Sequence, residues 1–298
     1  MRLLFLGDIV GNPGVELVRK ALPGVIERER LDLVIANGEN ASGGSGITPR
    51  TFRHLRQAGI DLMTLGDHVY KKYEIGTVLR EDESVCRPAN FPAAAPGRRY
   101  AVATARDGTR VAVLIVLGRT FMRPVDCPFR ACDEVIAELG DSVSAIVVDI
   151  HAEATADKYL LGHHLKGRVA AVLGTHTHIQ TADEQVFPGG TAFLCDAGMT
   201  GPYDSILGRR IDRVLATTLT FVPSAFDVAE GDVRLSGAIV EIDATSRMAV
   251  GIQRYQVKAA DLTNGPMNGT HSSNGTSGAN GSTSGRTGEH ESADPSTG

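Results

Sequence analysis

Five short segments of this 298-residue chain each place metal-binding side chains at the end of an apolar run. Each run has the length and the glycine or polar boundaries of a buried strand. Because the carboxyl ends of parallel strands share one edge of a sheet, the five segments predict an active site at that edge. They are Gly7-Asp8, Asn37-Gly38-Glu39-Asn40, Gly66-Asp67-His68, Asp149-Ile150-His151 and Gly174-Thr175-His176-Thr177-His178.

Each segment alone has an ordinary explanation. An Asp or Asn after a strand is typical of a turn or a helix cap, and a lone His is usually a hydrogen-bonded or solvated polar group. Turn chemistry has no use, however, for four histidines in the same strand-end context. Oxygen and imidazole donors without cysteine suit Mn, Fe or Zn in a two-metal hydrolase better than a structural zinc site.

The remaining pattern predicts an α/β fold. The expected buried strands are Leu3–Leu6, Leu31–Ala36, Asp61–Leu65, Val111–Leu117, Ala145–Ile150, Val169–Leu173 and Thr191–Cys195. They alternate with expected helices at 15–28 with Pro23 as a kink or break, 49–58 with Thr48 as N-cap and Gly59 as C-cap, 130–139, and 156–165. Past Phe221, a turn at 227–232 and paired strands at 234–242 and 248–257 predict a mixed sheet or a second antiparallel layer.

Composition divides the chain into one catalytic domain, residues 1–260, and a tail, residues 261–298. A hydrophobic content of 42% supports a sizeable core. From about Thr263 onward the sequence is Gly, Ser, Thr and Asn with almost no apolar residues. Such a segment buries too little surface to offset the entropy of ordering, so the tail is expected to be disordered.

Charge and cysteine usage restrict the partners. A net charge of −5 without any Lys/Arg run argues against extended nucleic acid or an anionic membrane as partner, and no segment has the length of a membrane span. A small anionic substrate remains compatible, because metal charge outweighs net charge locally. The cysteines form no Cys-x-x-Cys pair, which favours reduced thiols and a cytoplasmic protein. A symmetric homo-oligomer is common for an enzyme of this size and class.

The carboxylates and the amide of the motifs suggest a division of roles. Asp8 follows the first strand directly and offers a carboxylate to a hard cation. Glu39 has two carboxylate oxygens and is a natural bridge between two ions, while Asn40 adds a neutral carbonyl oxygen beside it.

The histidines complete the predicted donor set. His176 and His178 are two residues apart, which in an extended segment places both on one face, so that one strand end could serve both metals. His151 supplies a further imidazole. Asp149 lies on the opposite face of the same strand and is expected in the core or in support of the ligands.

Taken in order, these motifs resemble the calcineurin-like metallophosphoesterases, whose usual pattern is Asp-x-His, Gly-Asp, Gly-Asn-His-Glu and Gly-His-x-His. The variants present here resemble the bacterial YmdB-like branch from Met1 to about Val257, through the segments 8–11, 37–40, 87–92, 149–155, 174–183 and 196–204. The resemblance implies a calcineurin-like sandwich with central mixed β-sheets flanked by helices. It also implies a phosphodiesterase acting on 2′,3′-cyclic nucleotides.

The resemblance further implies roles for eight residues. Two divalent or trivalent ions, Fe or Mn, would be held in two groups with Glu39 as the bridge: Asp8, Asn40 and His178 for one ion, and Asp67, His151 and His176 for the other. His68 matches the family's proton donor. In that scheme a hydroxide between the two cations attacks phosphorus, and the imidazolium protonates the departing ribose oxygen.

One position departs from the family pattern. Asp67 stands where the family carries Asn, which adds negative charge to a site that must accept a phosphodiester. The following residues, 69–72, also differ from the Trp and the acidic residue that relatives tend to have there, so substrate preference is open. Two alternatives therefore remain: a phosphatase or nuclease acting on another phosphoester, and a metal-bound regulatory protein whose turnover is weakened by Asp67.

Overall fold

A computed structural model describes residues 1–262. The predicted tail, apart from its first two residues, lies outside the described residues. No helix in the described part is long and apolar enough to cross a membrane. In chain order the strands are β1 Arg2–Leu6, β2 Asp8–Ile9, β3 Leu33–Asn37, β4 Leu62–Thr64, β5 Val85–Cys86, β6 Tyr100–Thr104, β7 Arg110–Leu117, β8 Ala145–His151, β9 Ala171–Thr175, β10 Gln185–Phe187, β11 Thr191–Leu194, β12 Met199–Asp204, β13 Gly231–Ile242 and β14 Ala249–Lys258.

The described strands form two mixed sheets. The first has the order β2-β12-β13-β1-β3-β4-β5, with β14 paired to β13, and the second has the order β10-β11-β9-β8-β7-β6. In the first sheet β1, β3, β4 and β5 run parallel, whereas β13 pairs antiparallel with β1. In the second sheet β7, β8, β9 and β11 are parallel. The predicted C-terminal strand pair is confirmed and makes the first sheet mixed.

The two sheets pack face to face, and alternation along each strand explains why. In β1, Leu3 and Phe5 belong to the apolar core shared with β7 and β8 of the other sheet, while Leu4 and Leu6 belong to the core beneath the helices. Side chains alternate between the faces of a strand, so a run that is apolar throughout needs a covered surface on both sides. The result is a four-layer sandwich of helices, two sheets and helices.

The outer layers are helices α1 Gly11–Glu29, α2 Pro49–Gln57, α3 Ile75–Glu81, α4 Pro128–Leu139, α5 Thr155–Leu165 and α6 Ile211–Thr220. The first begins four residues earlier than predicted and continues through Pro23. Of the predicted kink or break at Pro23, the break is therefore wrong. Thr48 caps α2 as predicted, because its hydroxyl accepts from the amide of Thr51 at 3.3 Å. The C-cap of α2 is Ala58, and the predicted Gly59 follows it at a φ of +111°.

Candidate metal centre

The side chains predicted as site residues meet at one edge of the sandwich. Their positions follow from parallel strands that end at this edge in both sheets. The first sheet contributes Asp8 after β1, Glu39 and Asn40 after β3, and Asp67 and His68 after β4. The second sheet contributes His151 at the end of β8 and His176 and His178 after β9. The sequence predicted that these side chains lie at one sheet edge. In the structure that edge is formed by strand ends of both sheets.

One group of donors contains Glu39, Asp67, His151 and His176, with one ligand atom of each residue within 4.8 Å of the others. The Nε2 atom of His151 lies 3.1 Å from Glu39 Oε1 and 3.0 Å from Asp67 Oδ1. The Nδ1 atom of His176 lies 3.1 Å from the same His151 nitrogen. Two carboxylates and two imidazoles that converge on one point are a suitable donor set for a transition-metal ion.

A second group of donors lies beside the first. The Nε2 atom of His178 is 3.6 Å from Asp8 Oδ1. The side-chain nitrogen of Asn40, Nδ2, lies 3.4 Å from that Asp8 oxygen and also 3.4 Å from Glu39 Oε1. Glu39 therefore contacts members of both groups, which is the position that a bridging carboxylate requires.

Asn40 is oriented differently from the sequence expectation. Its carbonyl oxygen, the atom predicted as a ligand, accepts a hydrogen bond from His68 Nδ1 at 2.7 Å. Its NH₂ group instead donates toward the carboxylates of Asp8 and Glu39. A half-turn of the amide about its terminal torsion would present the oxygen to a cation between those carboxylates, at the cost of the bond to His68.

Each histidine of the two groups has an acceptor behind it. The hydroxyl of Thr175 donates to Asp149 at 2.6 Å, so it accepts from His151 Nδ1 at 2.8 Å. His178 Nδ1 donates to a backbone carbonyl, and His176 Nε2 to a carboxylate 3.2 Å away. These bonds orient the rings and direct their other nitrogens toward the two donor groups, as in metal-binding histidines. The acceptors are Thr175, Leu207 and Glu153.

Asp149 has the supporting role that its place on the strand predicts. It is fully buried and accepts hydrogen bonds from Thr64 at 2.7 Å, from Thr175, and from Asn37. Burial raises the pKa of Asp149 to about 6, against the opposing effects of His151 and these donors. Asp149 thus orients the Thr175 hydroxyl, and that hydroxyl orients the His151 ring.

The charges of the cluster favour a cation. Burial disfavours a charged His151, but Glu39 and Asp67 outweigh that cost and raise its pKa well above the usual value. Burial likewise opposes ionisation of Asp8, yet the His178 imidazole holds the pKa of Asp8 below its normal range. Carboxylates that attract positive charge onto imidazole nitrogens offer the same attraction to a metal ion, so the residues fit a metal centre.

Gly66 shows how closely the centre is packed. A Cβ atom at this position would lie 2.5 Å from Glu39 Oε2 and 2.6 Å from the ring of His151. Distances below 3.0 Å require neighbouring atoms to move, here the buried Glu39 carboxylate and the buried His151 imidazole. Glycine is therefore needed before Asp67 for reasons of space.

The loop after β9 is not extended, contrary to the sequence expectation. The strand ends at Thr175, and His176 and His178 have φ angles of 93° and 63°, in the left-handed region that side chains rarely adopt. The two imidazoles consequently turn to different donor groups. One strand end still contributes an imidazole to each donor group, but through a strained turn.

A buried ion pair that the sequence did not reveal holds this turn. Lys158 of α5 and Asp196 are both fully buried, with their charged atoms 2.7 Å apart. Asp196 also accepts from the amide of Thr177 at 3.2 Å and from its hydroxyl at 2.6 Å, and Lys158 donates to the same hydroxyl. Thr177 stands between the two histidines, so the ion pair fixes the turn that carries them.

Lys158→Met is expected to lower the free energy of unfolding by about 3–5 kcal/mol, because it leaves the Asp196 carboxylate buried without its counter-charge. Arg168→Met is the matched control: Arg168 also lies 2.7 Å from an aspartate, Asp133, but that pair is 39% and 42% exposed. An exposed pair contributes about 0–1 kcal/mol. Urea denaturation compares the two variants, and equal losses would show that Lys158 is not a structural anchor.

The layered sheets and the carboxylate–imidazole cluster are those of the metallophosphoesterase class that the motifs predicted. The family model described as "YmdB-like protein" matches residues 4–255. The chain therefore belongs to the YmdB-like family.

Individual relatives agree with this assignment. The chain is 43% identical over 257 residues to the 2′,3′-cyclic-nucleotide 2′-phosphodiesterase of Bacillus subtilis (strain 168), covering 86% of this chain and 97% of that protein. Among solved structures it resembles a hypothetical protein from Thermus thermophilus, with 41% identity, a TM-score of 0.81, and 87% and 99% of the two chains covered. It also resembles a novel phosphatase from Mycoplasma pneumoniae, with 26% identity, a TM-score of 0.80, and 87% and 93% covered.

Proposed function

We propose that this protein is a metal-dependent phosphodiesterase that opens 2′,3′-cyclic nucleotides at the 2′ ester. The observation that carries the proposal is the double donor group around Glu39 with His68 beside it. The similarity to the Bacillus subtilis enzyme, across 97% of that protein, supports the choice of substrate.

We propose two ions per chain, one held by Asp67, His151 and His176 and one by Asp8, Asn40 and His178, with Glu39 shared. Seven donor residues are too many for one tetrahedral ion. Carboxylate and imidazole donors without thiolate suit Mn, Fe or Zn, and of these we propose Fe or Mn. When bound, such ions would activate the attacking water and stabilise charge on the phosphoryl oxygens.

His68 is placed to act as the general acid. Its backbone amide donates to Glu39 Oε2 at 2.9 Å, which fixes the backbone that carries the ring beside the two donor groups. The side chain is 30% exposed, so Nε2 can reach a bound substrate. As water oxygen bonds to phosphorus and the P–O2′ bond breaks, a proton from His68 Nε2 would go to the departing ribose oxygen. The phosphate would then remain on the 3′ oxygen.

We further propose that the protein acts in the cytoplasm as a homo-oligomer. Cys86, Cys127, Cys132 and Cys195 are free thiols, and three of them are buried, which fits a reducing compartment.

A substrate panel tests the proposed activity. Protein loaded with Mn or Fe should cleave a 2′,3′-cyclic nucleotide with a higher kcat/KM than a 3′,5′-cyclic nucleotide or a nucleoside monophosphate. Preference for the monoester would indicate the phosphatase alternative. The panel includes a monoester because the chain resembles the Mycoplasma pneumoniae phosphatase. Stoichiometric metal binding without turnover of any ester would indicate the regulatory alternative.

Asp67→Asn is expected to raise kcat/KM for the cyclic nucleotide several-fold while metal is lost faster to a chelator. The Asp67 carboxylate lies within 3.0 Å of His151 and adds a negative charge where an anionic substrate must bind. An amide removes that repulsion but binds the ion less strongly. The rates must be compared at saturating metal. An unchanged or lower kcat/KM would mean that Asp67 is matched to another metal or substrate.

A further inference from the structure

Arg87, directly after β5, carries a buried charge that no carboxylate of residues 1–262 balances. The residue is 2% exposed. Its Nε donates to the carbonyl of Ala95 at 3.2 Å and its Nη1 to the carbonyl of Pro88 at 2.7 Å, while its Nη2 has no acceptor within the same residues. Burial lowers the pKa of Arg87, and the charge of Arg99 acts in the same direction. A guanidinium nevertheless stays protonated at neutral pH, and burying it without an opposite charge is costly.

A cavity of about 130 Å³ lies beside Arg87. One wall is segment 87–93, and another is the start of α4. Asn90 fixes these walls relative to each other, because its side-chain amide donates to the carbonyl of Leu117 at 2.9 Å and to that of Asp126 at 3.0 Å. The cavity is therefore enclosed by a hydrogen-bonded framework.

The charged groups that line the cavity are predominantly positive. Arg99 and Arg130 line it together with Arg87, and the carboxylates that line it are Asp126 and Glu134. Glu134 is shared between two arginines, 3.0 Å from Arg99 Nη2 and 4.0 Å from Arg130 Nε. The Nε atom of Arg99 is buried and finds no hydrogen-bond partner within residues 1–262. Three guanidinium groups thus face two carboxylates, in a chain whose net charge is −5.

Helix α4 directs its positive end to the same cavity. The helix begins at Pro128, the preceding Cys127 provides no side-chain cap, and no acidic residue lies in the first turn. The first amide groups of a helix have no partner inside the helix, and together with the helix dipole they attract anions. Cys127 and Ala131 both line the cavity. The buried Arg87 and the uncapped helix therefore call for a ligand of the same charge.

We propose that this cavity binds a phosphate group, either as free phosphate or as the end of a phosphomonoester. Arginine matches phosphate oxygens with paired N–H donors. The bound group would give Arg87 its missing opposite charge, Arg99 an acceptor and α4 a cap. A volume of about 130 Å³ has room for a phosphate group but not for a nucleoside. None of the proposed metal ligands lines the cavity, so the site is distinct from the metal centre and does not depend on the proposed phosphodiesterase activity.

The bound group would also order segment 87–96, which packs against the loop of His68. Pro96 accepts from the Tyr70 hydroxyl at 2.6 Å, and Tyr70 stands two residues after His68. Arg87 donates to the carbonyl of the residue before Pro96. Phosphate binding should therefore slow hydrogen exchange of the backbone amides in this segment.

Isothermal titration calorimetry of inorganic phosphate into the metal-loaded full chain tests the site, at an ionic strength held constant with chloride. Arg99→Met is the decisive variant, because this side chain is 31% exposed and, unlike that of Arg87, makes no bond within segment 87–96. The change should weaken one phosphate-binding event by about 10–100-fold, as expected for lost hydrogen bonds to a charged group. Phosphate binding at the metal centre, a separate event, should be unchanged.

The matched control is Arg98→Met. Arg98 is the neighbouring arginine, its side chain is 45% exposed and lies 2.6 Å from Glu83, and it does not line the cavity. This variant should bind phosphate as the wild type does. If Arg99→Met does not fold, Arg130→Met, at a side chain with 68% exposure, must weaken the same binding event, or the proposal is wrong.

Hydrogen exchange locates the bound phosphate. In the wild type and the control variant, phosphate should slow exchange in segments 87–96 and 126–131. In Arg99→Met that protection should be lost, while protection in the metal-centre segments 66–68 and 176–178 should be the same in all three proteins.

Titration with adenosine 3′-phosphate distinguishes the two sources of the phosphate group. Tighter binding than that of inorganic phosphate, at the event that Arg99→Met weakens, would identify a phosphomonoester, and equal or weaker binding would identify free phosphate. Three results would overturn the proposal: phosphate protection confined to the metal-centre segments, equal phosphate affinities of the Arg99 and Arg98 variants, or displacement of the phosphate by chloride at the same ionic strength.

Discussion

Replacing Glu39 with Ala should remove nearly all phosphodiesterase activity and reduce the bound metal from two ions per chain to one or none. Glu39 is 1% exposed and contacts both donor groups, through His151 at 3.1 Å and through Asn40 at 3.4 Å. Loss of the shared Glu39 carboxylate weakens both donor groups at once. Each ion loses a ligand and the negative charge that balanced its own charge. Elemental analysis of Mn- or Fe-loaded protein gives the stoichiometry directly.

The control for this variant is Glu153→Ala. Glu153 contacts His176 from outside, at 3.2 Å, and is half exposed, so its loss should weaken metal binding by about 10–100-fold without removing an ion at saturating metal. A wild type with about one metal ion per chain, or unchanged metal binding in Glu39→Ala, would show that Glu39 does not bridge two ions.

The His68→Ala variant should retain both ions but cleave a 2′,3′-cyclic nucleotide more slowly, by about 10²–10⁴-fold, as expected for a lost general acid. The effect should shrink with a nitrophenyl diester, whose leaving group needs no proton. The His68 ring nitrogens lie 3.8 Å from the carboxylates of Glu39 and Asp67, beyond hydrogen-bond distance, and His68 is not one of the proposed ligands. Metal content should therefore be maintained.

Leaving-group dependence separates the possible roles of His68. Equal losses on the cyclic nucleotide and on the nitrophenyl ester would show that His68 acts through positioning or metal binding. One such indirect effect would act through Asn40. Without His68, the Asn40 side-chain oxygen loses the hydrogen bond that orients the amide. An Asn40→Asp comparison, which keeps an acceptor beside His68, distinguishes these cases by metal content.

Much of the fold could be predicted because its strands are short, wholly apolar and bounded by polar residues. The pattern for β1, β7 and β8 placed Asp8 and His151 at strand ends within one or two residues. Helix α6 and strand β12 were not predicted, because their apolar residues are either exposed or interrupted by Gly201 and Pro202. Local periodicity reports burial, and within residues 1–262 only Val214 and Thr217 of α6 are even partly buried.

The site was predictable where donors directly follow a predicted strand or stand close together in sequence. The Gly174–His178 motif indicated its two imidazoles, but not the left-handed turn that sends them to different donor groups. The partners that orient the histidines come from distant segments: Thr175 through Asp149, Leu207 through its backbone carbonyl, and Lys158 through Asp196. Backbone acceptors and buried ion pairs have no sequence signature, so the structure was needed to find them.

Product analysis tests the central claim most directly. Metal-loaded wild-type protein is incubated with adenosine 2′,3′-cyclic phosphate, and the products are resolved by phosphorus NMR before and after removal of the metal with a chelator. The proposed function predicts adenosine 3′-phosphate as the product, formed by the loaded protein and lost on chelation. Formation of the 2′-phosphate, equal turnover after complete metal removal, or no hydrolysis by the fully loaded protein would contradict it.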